Sequence, residues 1–384
     1  MRMIWASLAL VAAVMTGPAI GQSERRAPEL DTVAEGLEYP WSLAFLPDGR
    51  MLVTEKPGRL RIVTPDGDLS TPVSGVPDVL WSGQGGLLDV ALAPDFADNQ
   101  EVYLTWSAGE PDDNTLYLGR GRFEGEALQD FEILFEAAPH RQSNVHYGGR
   151  ISFLPGSITD HRADSHAPVP ETLVLGIGDG FDFREQAQIP SSHLGSFVRL
   201  TLDGRPMPSP FEGAAPGVFS IGHRNPQAVL FDPVSGILYA NEHGPRGGDE
   251  INVLIEGRNY GWPIVSEGTD YTGALVTPFE AYAGMAEPLH VWTPSIAPAG
   301  MALYRGNMFP EWEGDLLVAA LIAGDADTPS GHVRRVDLQS GDVVGEAILF
   351  GELEARIRDV RVAPDGAVWL LTDEADGRLV RVSR

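Results

Sequence analysis

The chain has 384 residues and no cysteine. Disulfides, thiolate zinc sites and c-type haem attachment are therefore excluded. Stability must come from a large core, bound metal or closure of the fold. Basic residues are scarce: 27 Lys and Arg stand against 54 Asp and Glu, a formal net charge of −27. A field of that sign repels phosphate backbones and anionic membranes, so nucleic acid is not an expected partner. Clustered acids suit hard divalent cations, although a solvated surface accounts for most of them. The apolar run near the N-terminus is too short to span a bilayer, and no later run is long enough. Helical periodicity is nearly absent.

The N-terminus carries Arg2, an apolar run over 4–15 and small residues at 19 and 21. Residues 1–21 read as a secretory signal peptide, which predicts a periplasmic or secreted protein and a mature domain over 22–384.

Short Val/Leu/Ile/Tyr runs are punctuated by L-P-D-G at 46–49, T-P-D-G at 64–67, A-P-D-F at 93–96 and A-P-D-G at 363–366. Such turns between apolar runs mark antiparallel strands. The pattern recurs in six units starting near Pro40, Gly86, Gly148, Asn225, Gly300 and Arg358, at intervals of 46 to 77 residues. Multi-strand repeats of this size predict an all-β, six-bladed β-propeller of four-stranded antiparallel blades in a single domain. Residues 31–39 are expected to supply a closing strand to the last blade. Two insertions stand out. In 157–170, a solvated loop is favoured over a metal site built from His161, Asp164 and His166. In 264–299, Tyr271, Tyr282 and Trp292 either wall a ligand or pack the loop.

Several motifs carry chemistry. His146, in V-H-Y-G-G-R, is a candidate general base, or else a structural histidine. Asp179, in G-I-G-D-G, ends a strand that can lie beside it and fix its tautomer, or is only a turn aspartate. Gln84 enters a strand from G-Q-G-G. The stretch 221–263 groups Arg224 and Asn225, the His243-Gly244-Pro245 turn, the carboxylates Asp249 and Glu250, and Tyr260 with Trp262 among Gly and Pro, as loops at functional sites do. Arg356 and Arg358 alternate on one strand and so face the same way. They suit carboxylates on a ligand, or neutralise two of the chain's own acids.

Taken together, G-Q-G-G-L-L, H-Y-G-G-R, S-S-H-L-G, G-H-R-N-P-Q, E-H-G-P-R-G-G-D-E-I-N, N-Y-G-W-P, P-S-I-A-P-A-G-M and R-I-R-D-V resemble the soluble aldose sugar dehydrogenases of the glucose/sorbosone dehydrogenase family. The resemblance runs from about Gly36 to Arg384. It implies a propeller that uses pyrroloquinoline quinone (PQQ) and calcium to oxidise aldoses at C1 to lactones. It also implies roles: His146 the base as hydride passes to the quinone, Asp179 its orienting carboxylate, and Gln84 a substrate-facing amide. Arg224 would stabilise charge on the quinone oxygen with Asn225 beside it, and Arg356 and Arg358 would meet PQQ carboxylates. The carbonyls of Gly244 and Pro245 would ligate the cofactor's calcium, with Asp249, Glu250 and Tyr260 in a region holding further calcium. The implied partners are an aldose and an unidentified electron acceptor, and the assembly a monomer or homodimer. One departure is specific: the family's fifth-unit lysine is missing from A-A-L-I-A-G-D-A-D-T-P at 319–329, with Arg334 a candidate replacement. Two other readings remain, a calcium-dependent lactone hydrolase on a similar propeller and a non-catalytic binding propeller.

Overall fold

A computed structural model describes residues 26–156, 171–323 and 331–384. The proposed signal peptide, the trio His161, Asp164 and His166, and part of the 319–329 segment lie outside the described residues.

Six antiparallel sheets are arranged in a ring. Their first strands are Pro40–Phe45, Leu87–Leu92, Gly148–Leu154, Pro226–Asp232, Pro298–Leu303 and Ile357–Val362. Each touches the next, and the last returns to the first. These are the six predicted unit starts, displaced by at most two residues. Five sheets have four strands. The first has Pro40–Phe45, Met51–Glu55 and Arg59–Val63 as regular strands, and residues 69–73 run along its outer edge in the fourth position, Leu69 bridging Val63 and the Val73 N–H donating to the Leu60 carbonyl at 2.8 Å. The sixth blade takes its outer strand from the N-terminus: Glu29–Leu37 pairs antiparallel with Gly377–Ser383. Closing the ring with the far end of the chain removes an exposed edge and locks the first and last blades together.

Second strands such as Met51–Glu55, Leu316–Ala320 and Val368–Thr372 are buried along their whole length. This is why they read as unbroken apolar runs rather than alternating ones. The core is accordingly divided into wedges between neighbouring blades. Leu37, Leu43, Val53 and Leu371 fill the wedge between the sixth and first, while Val174, Phe197, Leu238 and Ala240 fill the one between the third and fourth. Each Val, Leu or Phe among them contributes about 1.5–3 kcal/mol on burial.

The axis holds ions instead of apolar groups. Buried Arg150 bonds Asp89 at 3.0 Å, Asp359 at 3.0 Å and the Ser42 hydroxyl at 2.9 Å. One guanidinium thus ties the third blade to the first, second and sixth, and forms the floor beneath the functional site. No helix among the described residues is long and apolar enough to cross a membrane.

Candidate functional site

The strand Gly148–Leu154 pairs with Thr172–Ile177, Gly148 lying opposite Ile177. This register places the residues just outside the pair, His146 and Asp179, side by side. His146 Nδ1 lies 2.7 Å from Asp179 Oδ1. The glycines around them are required by space: a Cβ on Gly178 would stand 2.1 Å from the His146 carbonyl oxygen, and one on Gly148 2.5 Å from that of Gly176. Burial, assisted by the charges of Arg224 and Arg141, draws the His146 pKa below its ordinary value against the pull of Asp179. The imidazole is therefore neutral at neutral pH, its Nδ1 proton is held by Asp179, and Nε2 is left as the basic nitrogen. Burial acts to raise Asp179, but the hydrogen bond and charge of His146, with Arg224, outweigh it and hold the carboxyl low. Gln84 is exposed, and its Oε1 accepts the His146 backbone N–H at 2.8 Å.

Two further groups complete this dyad: Trp262, which the sequence placed in the 221–263 stretch without a partner, and Arg141, which it did not single out. Trp262 Nε1 donates to Asp179 Oδ2 at 2.8 Å, and the buried Arg141 donates to the His146 carbonyl at 3.3 Å. Both contacts are tertiary.

Arg224 lies next to the dyad. Its backbone N–H donates to Glu242 at 2.6 Å and its guanidinium to the carbonyls of His243, at 3.1 Å, and Gly244. It also packs on Trp262, 5.2 Å from the ring centroid. Asn225 Nδ2 lies 3.2 Å from His243 Nδ1, while His243 Nε2 donates to the Pro298 carbonyl at 2.8 Å. Burial first, then the charges of Arg224 and other neighbours, keeps His243 neutral.

Asp249 and Glu250 diverge, as successive residues of a strand must. Asp249 turns inward: one oxygen accepts the Gly244 N–H at 2.8 Å, and the other accepts those of Ile296 at 2.8 Å and Ala297 at 2.7 Å. It braces the Gly244 turn. Glu250 lies near Tyr260, Glu267, Glu280 and Glu287 in a shallow pocket. Burial, then the charges of Glu242, Glu267 and Asp249, pushes it up to about 8. No three His, Asp or Glu side chains among the described residues group closely enough to hold a metal by themselves. A cation here would depend on backbone carbonyls as well.

An axial cavity of about 330 Å³ opens beside these groups, its wall including Gln84, Tyr147, Gly148, Gln227, His243 and Tyr271. On the far side Arg356 and Arg358 do face together, as the alternation predicts. Both bond Asp373 Oδ2, at 3.1 and 2.8 Å, and Lys56 joins the same carboxylate at 3.6 Å. Burial would raise Asp373, but Arg358, Lys56 and Arg356 hold it far down. Arg334 is not on this wall. It donates to His332 at 2.9 Å and pairs with Glu346 at 3.2 Å, which removes it as a replacement for the missing lysine. In the long excursion, Tyr271 reaches the cavity and stacks on Phe181 at 6.0 Å, whereas Trp292 is buried in core.

The model of the family described as Glucose / Sorbosone dehydrogenase matches residues 37–381. The chain is similar to aldose sugar dehydrogenase YliI of Escherichia coli, with 38% identity over 92% of each chain. A crystal structure of a glucose dehydrogenase superposes with a TM-score of 0.83 at 39% identity, covering 93% of this chain and 99% of that one. The PQQ-bound aldose sugar dehydrogenase of Streptomyces coelicolor gives 0.70 at 29%, with 93% and 99% covered. The match spans all six blades and every motif of the site, and the chain belongs to the glucose/sorbosone dehydrogenase family.

Proposed function

We propose that this protein is an exported quinoprotein that oxidises aldoses at C1 to the lactone. The observation that carries the reading is a cavity whose near wall, Gln84, Tyr147 and Gly148, adjoins the buried His146–Asp179 dyad, and whose far wall carries a surplus of cations.

The residues present fit PQQ and calcium. Lys56, Arg356 and Arg358 share a single carboxylate, so the wall has positive charge to spare for an anionic ligand. The Nε atoms of Arg224 and Arg358 are buried without a hydrogen-bond partner among the described residues. The carbonyls of His243 and Gly244 already converge on a cation, the Arg224 guanidinium, as oxygens suited to calcium would. Bound PQQ supplies the hydride acceptor, and calcium at the Gly244 and Pro245 carbonyls adds Lewis acidity.

The chain's own groups do the rest. His146 Nε2 takes the C1 hydroxyl proton, which its neutral state permits. Asp179 keeps the proton on Nδ1 and stabilises the imidazolium once formed. Gln84 fixes the His146 backbone and presents its side chain at the cavity mouth. Arg224 offers a fixed positive charge where negative charge develops, without reorganisation cost. Arg356 and Arg358 would hold the carboxylates of the bound cofactor. Asp249 holds the turn that aims the Gly244 and Pro245 carbonyls, and Glu250 with Tyr260 marks the region for a further, structural calcium.

A lactone hydrolase would need metal-binding side chains at the axis. There Asp89 and Asp359 are already occupied by Arg150, which favours the dehydrogenase. The test is reconstitution of purified apoprotein with PQQ and calcium, followed by dye reduction with several aldoses. Dye reduction is expected, and His146→Ala should abolish it while leaving PQQ bound. Failure with every aldose, accompanied by lactone hydrolysis, overturns the reading.

A further inference from the structure

Lys56 is the one lysine in the sequence. It occupies the turn between Met51–Glu55 and Arg59–Val63 in the first blade, and its side chain lies on the axial cavity wall with Arg356, Arg358 and Asp373. Its Nζ stands 3.6 Å from Asp373 Oδ1 and 5.0 Å from the centre of the Tyr39 ring.

Asp373 does not need this third cation. Arg358 donates to its Oδ2 at 2.8 Å and Arg356 at 3.1 Å, which offsets the charge, while Oδ1 is buried without a hydrogen-bond partner among the described residues: Lys56 at 3.6 Å faces it without bonding it. These four are the charged side chains on the cavity wall among the described residues. Three positive charges against one negative leave two in surplus. Like charges crowded in a partly desolvated site raise the free energy of the empty protein. Burial first, with Arg358 and Arg356, lowers the Lys56 pKa against the attraction of Asp373. The surplus is relieved by an anion carrying at least two carboxylates, which matches the proposed cofactor.

We propose that Lys56 is a cofactor-positioning residue, whose ammonium joins Arg356 and Arg358 in holding the carboxylates of PQQ. The assignment rests on the quinoprotein reading and adds to it a contact from the first blade. With Arg356 and Arg358 on the sixth blade, the cofactor would bridge the two blades that the N-terminal strand also ties together.

The test is equilibrium dialysis of PQQ against apoprotein at fixed calcium for wild type, Lys56→Met and Lys56→Arg. Lys56→Met should raise Kd by about tenfold or more and flatten its dependence on salt, whereas Lys56→Arg should recover most of the affinity. The apoprotein melting temperature should not fall in Lys56→Met, and should rise if the crowded like charges are relieved. A lysine serving only to support Asp373 would lower that temperature on Lys56→Met and leave PQQ affinity unchanged. A second measurement needs no variant. Amine-selective acylation, followed by peptide mass spectrometry, reports Lys56 as the sole side-chain amine, and PQQ with calcium should protect it where calcium alone does not. Equal PQQ affinity in wild type and Lys56→Met, or unchanged acylation at saturating PQQ, overturns the assignment and leaves the quinoprotein reading intact. No PQQ binding by wild type overturns both.

Discussion

Trp262 Nε1 donates to Asp179 Oδ2 at 2.8 Å, while Asp179 Oδ1 holds His146 Nδ1 at 2.7 Å. The N-Y-G-W-P turn is thereby the third member of a relay whose other members lie 83 and 116 residues earlier. Without the indole, one oxygen of a buried carboxylate loses its donor. Trp262→Phe should keep the fold but cut kcat about tenfold or more, since a hydrogen bond to a charged group is worth roughly 1.5–3 kcal/mol. Steady-state kinetics on the reconstituted enzyme checks this, and an unchanged kcat would show the bond to be dispensable.

The acid limb of the pH profile should report His146. Its pKa lies below 6.5, so kcat/KM should rise with pH through that lowered value and be flat above neutrality. Asp179 is the group that holds the pKa up. Asp179→Asn should therefore move the limb to lower pH while reducing the plateau by roughly a hundredfold or more, the imidazole having lost its tautomeric control. A limb moving to higher pH would contradict the assignment.

Arg150 is a test of the axial floor. Removing it by Arg150→Met leaves Asp89 and Asp359 buried without their shared cation. That should cost about 3–5 kcal/mol, read as a lower guanidinium chloride midpoint. A change below about 1 kcal/mol would mean that Arg361, 2.9 Å from Asp359, takes over the role.

Calcium should stabilise the fold through Glu250 as well as through the cofactor site. After treatment with a chelator, adding calcium at a hundred times its Kd should gain about 2.7 kcal/mol. Glu250→Gln relieves repulsion from Glu242 and Glu267. It should raise the melting temperature in chelator and shrink the calcium-dependent gain. A full calcium response in the variant would place the ion elsewhere.

The blades are legible in the sequence because strand, Pro-Asp-Gly turn and strand are local events. The six unit starts follow from recurring strands and turns of this kind, and the shared direction of Arg356 and Arg358 from strand alternation. His146 and Asp179 are partly legible, since antiparallel neighbours with a known register bring the residues beyond the pair together. Their distance and buried state are not. The roles of Lys56, Asp373 and Trp262 had no local signal, because each depends on a partner supplied by another blade.

The sequence by itself determined the kind of fold and the chemical types available to it, through turn residues, apolar periodicity and the absence of cysteine. Only the tertiary structure decided which ions meet. Closing the ring sets Lys56 of the first blade against Asp373 of the sixth, and drops Arg150 between Asp89 and Asp359. Electrostatic energy depends on distance and burial in three dimensions, and neither is encoded at any single position along the chain.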